Sequence, residues 1–180
     1  MNGNINFVIG GIRSGKSEYA ETLAKSSGAS ILYLATGKST DTEMENRIAK
    51  HQNNRPKDWV TLEEPLYLKK ALVALNSTLD ILMIDCMDFW ITNRLTDNPD
   101  INYTDHEVWI EDQTKDLLTY CKSKFSQTII VSSEVGASLV SEYRIGRWFQ
   151  DLLGLTNQSI TKHSTTVDYI IAGNTLRIKP

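Results

Sequence analysis

The sequence predicts an α/β fold in which a mostly parallel sheet carries helices on both faces. Short, almost continuously apolar segments alternate with longer stretches in which apolar residues recur at helical spacing. The apolar segments lack a polar face, which is typical of parallel strands that are buried on both sides. At 180 residues the chain has the length of one compact unit, so we expect a single domain over residues 1–180.

The strands are predicted from apolar runs that end at turn residues. The first run, residues 5–9, is closed by Gly10-Gly11, and the most apolar one, residues 80–85, ends in an aspartate. The C-terminal end predicts an antiparallel hairpin around Gly173-Asn174. The full set of expected strands covers residues 5–9, 31–35, 59–62, 80–85, 128–132, 167–172 and 175–179.

The helices are predicted from apolar spacing and from residues that favour helix ends. Asp41 is a favourable cap for one of them, and Pro65 is a favourable first residue for the next. A further helical stretch follows residue 85 and ends before a loop around Pro99. Apart from that stretch, the expected helices cover residues 17–26, 41–53, 65–76, 105–124 and 142–163.

Composition and charge exclude several classes of protein. With 41% hydrophobic and 23% charged residues, the chain is neither a disordered tail, a collagen-like chain nor a coiled coil. Nineteen basic and 22 acidic residues give a charge of −3, so nothing in the charge favours nucleic acid as the main partner. Cys86 and Cys121 are too few for a disulfide framework and lack metal-ligand spacing. No apolar run approaches 18 residues, so we expect a cytoplasmic protein without a membrane span.

The most informative motif lies directly after the first strand. Residues 10–17 match the pattern G-x-x-x-x-G-K-[ST] in full, between a predicted strand and a predicted helix. Glycines let the backbone amides turn inward around phosphates, the lysine reaches the β- and γ-phosphates, and the hydroxyl can bind Mg²⁺. The motif predicts a P-loop NTPase-type (RecA-like) fold that binds a nucleoside triphosphate. The predicted binding residues are Gly10, Gly11, Ile12, Arg13, Ser14, Gly15, Lys16 and Ser17.

A second acidic element fits the same chemistry. Asp85 ends the apolar run at residues 81–84, which is the pattern of a Walker B strand. A carboxylate at this place can hold Mg²⁺ directly or through water, together with the hydroxyl of Ser17. Beside a phosphate loop, this interpretation is preferred over an ordinary acidic residue at a strand end.

A cluster of polar residues after the second strand narrows the chemistry further. Glu43, Arg47, Lys50, His51 and Arg55 lie on one predicted helix and its exit. The spacing of four places the imidazole on the same helical face as the two guanidinium groups. This set suits an anionic ligand better than a metal, and a neutral imidazole is also a nucleophile toward phosphorus. Taken alone, a histidine in such a place is more often an ordinary surface residue.

The sequence resembles the bifunctional adenosylcobinamide kinase / adenosylcobinamide-phosphate guanylyltransferase family over nearly the whole chain. The phosphate loop is shared by many nucleotide-binding proteins, whereas the segment R-I-x-x-H-x-x-x-R-P-x-x-W, from residue 47 to residue 59, is specific to this family. The match continues through Trp90-Ile91-Thr92-Asn93, Ser133-Glu134-Val135-Gly136, Arg147-Trp148-Phe149 and Gly154-Leu155-Thr156-Asn157-Gln158.

The resemblance implies two reactions of cobalamin biosynthesis on one scaffold. The first phosphorylates adenosylcobinamide with ATP or GTP, and the second transfers GMP from GTP through a guanylylated histidine, whose position falls on His51. Lys16 is the other residue expected to be catalytic. The resemblance further implies a homotrimer, with the corrinoid in a groove between subunits. Beyond the loop, it implies nucleotide contacts from Thr36, Gly37, Lys38, Gln52, Asn53, Asn54, Arg55, Glu63 and Asp85.

The chain departs from the family pattern at three places in its C-terminal half. Ser133 stands where the family often has Asn, Ser141 where it often has Pro, and Gln150 where it often has Arg. The segment at residues 159–164 is also more polar than expected. These departures concern the expected corrinoid contacts rather than the nucleotide contacts. The four tryptophans are compatible with either the corrinoid groove or the core.

Two other functions are compatible with the motifs. One is a single-activity P-loop small-molecule kinase, in which His51 only binds phosphate or substrate. The other is a non-catalytic nucleotide sensor, which would keep Lys16 and Ser17 but turn nothing over. A covalent adduct between the protein and GMP would distinguish the bifunctional enzyme from both.

Overall fold

A computed structural model describes residues 3–26, 28, 30–39, 42, 56, 58–76 and 78–180. Its strands are β1 (Asn4–Gly10), β2 (Ile31–Ala35), β3 (Val60–Glu63), β4 (Ile81–Asp85), β5 (Gln127–Ser133), β6 (Thr166–Ile171) and β7 (Asn174–Lys179). Its helices are α1 (Lys16–Ser26), α2 (Leu68–Leu75), α3 (Met87–Asp97), α4 (Tyr103–Lys124) and α5 (Arg144–His163). The helix predicted over residues 41–53 lies outside the described residues, apart from Thr42.

The described strands form one seven-stranded sheet in the order β3-β2-β4-β5-β1-β6-β7. All neighbouring pairs are parallel except β6 and β7, which form an antiparallel hairpin. The predicted fold class is therefore confirmed, and the architecture is consistent with a P-loop NTPase-like fold. We call the edge where the parallel strands end the carboxyl edge. There, Gly10 of β1 lies opposite Ser133 of β5, and β5 separates β1 from the acidic end of β4.

Helices cover both faces of the sheet because successive strand residues point to opposite sides. Phe7 packs in the core on the face of α3, α4 and α5, whereas Val8 packs on the face of α1. The same alternation separates Leu34 from Tyr33. Strand residues on both faces are buried. The strands are almost continuously apolar for this reason, as the sequence predicts.

Several boundaries differ by one to three residues from their predicted positions, and two of the differences have a clear local cause. The helix expected from residue 65 begins at Leu68, because the Glu64 carboxylate accepts hydrogen bonds from the amides of Leu66 and Tyr67 and closes a turn there, both at 2.9 Å. The hairpin turn is centred on Ala172 and Gly173, one residue earlier than expected. Both have positive φ, 49° and 78°, as a two-residue turn between twisted strands requires.

The tryptophans belong to the core rather than to an open groove. Trp90 is buried, and Trp109 and Trp148 pack against the same core cluster. Trp59 is buried in the cluster on the other face of the sheet. All four tryptophans therefore contribute to the core of this structure, and a corrinoid groove between subunits stays a prediction.

Both cysteines are free and buried, Cys86 at the end of β4 and Cys121 in α4. Over the described ranges, no three His, Cys, Asp or Glu side chains come together as a metal site. None of the helices within these ranges combines the length and the apolar character needed to cross a bilayer.

Candidate functional site at the carboxyl edge

The phosphate loop connects the end of β1 to the start of α1. The loop bends sharply because Arg13 and Gly15 adopt left-handed backbone conformations, with φ of 56° and 96°. Inside the bend, the Ser14 amide donates to the Gly11 carbonyl at 3.2 Å. The observed strand, loop and helix are those that the motif predicts, and they place the N-terminus of α1 at the carboxyl edge. A helix N-terminus with free amide groups favours a bound anion.

Gly10 is the position of the loop where a side chain has no space. A Cβ atom there would lie 2.6 Å from both the Ile170 carbonyl oxygen and the Ser14 Oγ. The hydroxyl of Ser14 is buried and has no hydrogen-bond partner within the described part of the chain. The first glycine of the motif is thus required by close packing of the loop on β6.

The C-terminal hairpin braces the phosphate loop. The Gly173 amide, in the hairpin turn, donates to the Ser14 carbonyl at 2.8 Å. Beneath the turn, Asp168 is 1% exposed and accepts hydrogen bonds from Tyr19 Oη at 2.9 Å and from Arg177 Nε and Nη2 at 2.8 and 3.0 Å. This contact raises the pKa of Arg177, and burial together with Asp168 raises the pKa of Tyr19. Local sequence patterns do not signal this network, because its members are 149 and 9 residues apart.

Lys16 and Ser17 occupy the first turn of α1 and are both partly buried. The Lys16 ammonium donates to the Gly11 carbonyl at 3.4 Å, so the side chain folds back over its own loop. A cation above a ring of amide groups provides the positive field that a triphosphate requires. Their roles in phosphate and Mg²⁺ binding remain predictions.

Asp85 lies at the carboxyl end of β4 and is partly buried. Tyr33 Oη donates to its Oδ2 at 2.6 Å, which fixes the carboxylate at the sheet edge. The two strands are also joined through Thr36, which donates to the Cys86 carbonyl at 2.6 Å and accepts from the Cys86 amide at 2.9 Å. The position of Asp85 on the same edge as the phosphate loop is the one expected of a Walker B residue.

The other predicted nucleotide contacts that the structure describes differ in how far they are exposed. Thr36 is fully buried, so in this structure its side chain is not accessible to a ligand. Its carbonyl accepts a hydrogen bond from the Asn93 side chain at 2.7 Å. Lys38 is exposed and pairs with Asp97 at 2.8 Å. Glu63 is exposed at the end of β3. Gly37 lies between Thr36 and Lys38 and is partly buried.

One acidic residue of this edge was not predicted. Asp88, in the first turn of α3, accepts a hydrogen bond from Ser133 Oγ at 2.9 Å, and its second oxygen is buried without a partner among the described residues. Burial, followed by the charges of Asp88 and Asp85, raises the pKa of Cys86 well above its usual range. Cys86 therefore stays a protonated thiol at neutral pH. No pattern at residue 88 signals this contact, because it depends on the pairing of β4 and β5.

The predicted histidine site lies outside the described residues. This applies to His51 and to the expected nucleotide contacts at Gln52, Asn53, Asn54 and Arg55. The other two histidines are described and have structural surroundings. His106 is buried in α4, where burial and the charge of Arg94 lower its pKa, and His163 lies exposed at the end of α5.

Comparison with known proteins identifies a family. Residues 6–178 match the family model described as CobU: cobinamide kinase / cobinamide phosphate guanyltransferase. The chain is 35% identical over 176 residues to the bifunctional adenosylcobalamin biosynthesis protein CobP of Pseudomonas aeruginosa, covering 97% of this chain and 96% of that protein. It is 33% and 32% identical to the CobU proteins of the same description from Escherichia coli and Salmonella typhimurium. Each of these two matches covers 96% of this chain and 98% of the relative.

Proposed function

The chain belongs to the cobinamide kinase / cobinamide phosphate guanyltransferase family, and we propose that it performs both reactions of this family at one nucleotide site. It is a bifunctional enzyme of cobalamin biosynthesis with kinase and guanylyltransferase activities. The observation that carries the single-site proposal is the phosphate loop at residues 10–17, which lies at the same carboxyl edge as the acidic end of β4, one strand away.

In the first reaction, the aminopropanol hydroxyl of adenosylcobinamide attacks the γ-phosphate of ATP or GTP. The bond between the γ-phosphorus and the bridging oxygen breaks, and the nucleoside diphosphate leaves. The loop amides and the Lys16 ammonium stabilise the negative charge on the transferring phosphoryl group, because they are fixed before the reaction begins.

The residues at the carboxyl edge fit a magnesium ion. Mg²⁺ prefers oxygen ligands, and the hydroxyl of Ser17 and the carboxylate of Asp85 are of this kind. Tyr33 holds the Asp85 carboxylate through a hydrogen bond of 2.6 Å, which suits a preorganised ligand. When bound, Mg²⁺ would neutralise charge on the phosphates.

In the second reaction, His51 attacks the α-phosphorus of GTP and displaces pyrophosphate. The product is a guanylyl-imidazole phosphoramidate on the protein. The phosphate of adenosylcobinamide phosphate then attacks the same phosphorus, releases the imidazole and gives adenosylcobinamide-GDP. Covalent catalysis divides one transfer into two easier displacements. We place the remaining nucleotide contacts at Gln52, Asn53, Asn54, Arg55 and Glu63, and on the main chain near Gly37 and Lys38.

The experiment that tests the covalent step uses GTP labelled at the α-phosphate. The protein is incubated with Mg²⁺ and labelled GTP, denatured, and counted for bound label. We expect acid-labile, base-stable label on the wild type and none on His51→Ala. The matched control is His163→Ala, which removes an exposed histidine at the end of α5 and should keep the label.

Three outcomes would contradict this mechanism. Absence of label from the wild type, with GTP binding demonstrated, would leave a single-activity kinase. Label that survives in His51→Ala would move the nucleophile elsewhere. Loss of kinase activity in His51→Ala would also contradict the division of roles, because phosphorylation needs no histidine nucleophile.

We propose a homotrimer from the family resemblance, and sedimentation velocity would measure that state directly.

A further inference from the structure

The most exposed large apolar side chains of the described residues lie on two connections at the carboxyl edge. Leu139, Val140 and Tyr143, which follow β5, are 95%, 75% and 76% exposed, and Ile12, in the phosphate loop, is 87% exposed. No other large apolar side chain of the described part exceeds 60% exposure. Exposed apolar groups gathered beside an active site indicate a surface that is covered by a ligand or partner.

The segment at residues 135–143, which we call the docking segment, leaves the sheet directly beside the phosphate loop. Ser133, at the end of β5, lies opposite Gly10 in the strand register. The amide of the next residue, Glu134, donates to the Gly10 carbonyl at 3.0 Å. The docking segment thus begins directly after Glu134, the residue whose amide is hydrogen-bonded to the first residue of the phosphate loop.

The side-chain amide of Gln150 holds the docking segment from below. Its Nε2 lies 2.9 Å from Ser138 Oγ and 3.1 Å from the Leu139 carbonyl, and its Oε1 accepts from the Ser141 amide at 3.0 Å. One side chain in the second turn of α5 therefore fixes both ends of the exposed apolar pair. Because Gln150 bonds the main chain, the apolar side chains are left pointing outward.

Arg147 adds a second attachment from the same helix. Its Nη1 donates to the carbonyls of Ser141 and Glu142 at 3.1 and 2.8 Å. The Ser141 Oγ accepts from the Tyr143 amide at 3.2 Å. The shape of the docking segment is consequently set by side chains at residues 141, 147 and 150.

The residues at two of the departures from the family pattern, Ser141 and Gln150, are in direct contact. A proline at residue 141 would have no amide hydrogen to give to the Gln150 Oε1. An arginine at residue 150 would have no acceptor for that hydrogen. Serine at residue 141 with glutamine at residue 150 satisfies both groups.

We propose that the docking segment binds the corrin ring of the two acceptors, adenosylcobinamide and adenosylcobinamide phosphate. Gln150 is the positioning residue that holds the docking segment in the shape needed for this binding. The proposal rests on the proposed function. The acceptor hydroxyl has to approach the γ-phosphate beside the phosphate loop, which brings the bulk of the acceptor onto the neighbouring connections. A triphosphate offers no apolar surface to Leu139 and Val140, whereas the large corrin macrocycle does.

The test compares Ser141→Pro with Ser141→Ala. Both remove the hydroxyl, but only proline removes the amide hydrogen that Gln150 accepts. We expect Ser141→Pro to raise the Kd for adenosylcobinamide, and its KM in the kinase reaction, about tenfold, which corresponds to the loss of one hydrogen bond to the segment. Ser141→Ala should stay within about threefold of the wild type. Gln150→Arg should weaken corrinoid binding as Ser141→Pro does, and the double variant should bind more tightly than either single variant.

Three measurements test the proposal. Calorimetry measures binding of adenosylcobinamide without turnover, labelling by GTP is measured without corrinoid, and sedimentation measures the state of assembly. Unchanged labelling with weakened corrinoid binding supports the proposal. Equal loss of labelling and corrinoid binding overturns it, since the segment would then serve the nucleotide site. A change of sedimentation with corrinoid binding intact also overturns it, because the segment would then be an interface between copies.

A second variant covers the case in which Ser141→Pro does not fold. Leu139→Ser together with Val140→Ser changes only exposed side chains, so the fold should persist. We expect it to raise the corrinoid Kd at least fivefold, and unchanged corrinoid binding would refute the docking surface. Because calorimetry needs no reaction, absence of guanylylation in the wild type would contradict the proposed function without affecting this result.

Discussion

The phosphate loop and the docking segment lie side by side at the carboxyl edge, but their shapes are maintained in different ways. The loop is held mainly by main-chain contacts, such as the bond from Gly173 to Ser14. The docking segment is held by side chains of α5, above all Gln150. The shape of the loop depends on the backbone conformations of Arg13 and Gly15 and on the bond to the hairpin turn. A segment fixed by side chains changes shape when one of them changes, which suits recognition of the acceptor.

The strongest way to separate the two regions is to remove the loop's cation without altering its backbone. We expect Lys16→Ala to lower kcat/KM roughly a thousandfold in both reactions, because loss of a preorganised charge partner affects every transfer from the triphosphate. The measurement is steady-state kinetics of phosphorylation and guanylylation. Lys70→Ala, on the exposed surface of α2, is the control and should leave both rates unchanged. A loss confined to one reaction would show that the two chemistries do not share this loop.

The second way to test the contrast is to release the hairpin that braces the loop. Arg177→Ala leaves the buried Asp168 carboxylate with the Tyr19 hydroxyl as its remaining partner in this network. We expect the free energy of unfolding to fall by about 3 kcal/mol, since an incompletely paired buried charge is costly. Urea unfolding measures the loss, and nucleotide binding should weaken while corrinoid binding changes less.

Tyr19→Phe is the matched variant for this network. It removes one hydrogen bond and leaves Asp168 paired with Arg177, so we expect a smaller loss of about 1 kcal/mol. A loss for Arg177→Ala no larger than that for Tyr19→Phe would mean that the hairpin does not depend on the ion pair. Equal weakening of nucleotide and corrinoid binding would mean that the brace does not distinguish the two regions.

The parts of the molecule that are fixed by local main-chain patterns could be predicted from the sequence, whereas the side-chain contacts could not. The strand, loop and helix of residues 4–26 could be predicted because apolar runs, glycines and helical spacing are local signals. The position of Asp85 on the same edge as this loop follows from the parallel sheet. The turn at Ala172 was misplaced by one residue because a left-handed alanine runs against local preference.

Contacts between distant residues could not be predicted. Gln150 was recognised only as a departure from the family pattern, since its acceptor and donor partners lie 9 to 15 residues away across a connection without regular structure. The pairing of Asp88 with Ser133 and of Asp168 with Tyr19 likewise depends on which strands are neighbours. Local patterns specify the elements, whereas side-chain partners depend on how the elements pack.

The smallest expected effect is a pH dependence on the side of the docking segment. His106 is buried next to Trp148 of α5, with ring centroids 6.0 Å apart, and its Nδ1 has no partner among the described residues. Burial and Arg94 lower its pKa from the ordinary 6.5, with a hydrogen bond to the Asn98 main chain and the charge of Asp105 opposing the shift. The unfolded chain therefore binds a proton at a higher pH than the folded chain does, so stability should fall as pH decreases through about 6.5.

His106→Leu should flatten this part of the stability curve, whereas His163→Ala, at the exposed end of α5, should leave the slope as in the wild type. Urea unfolding between pH 7.5 and about 5.5 measures the slope, above the range where most carboxylates titrate. A slope that persists in His106→Leu would assign the pH dependence to other groups and leave α5 without an acid-sensitive contact.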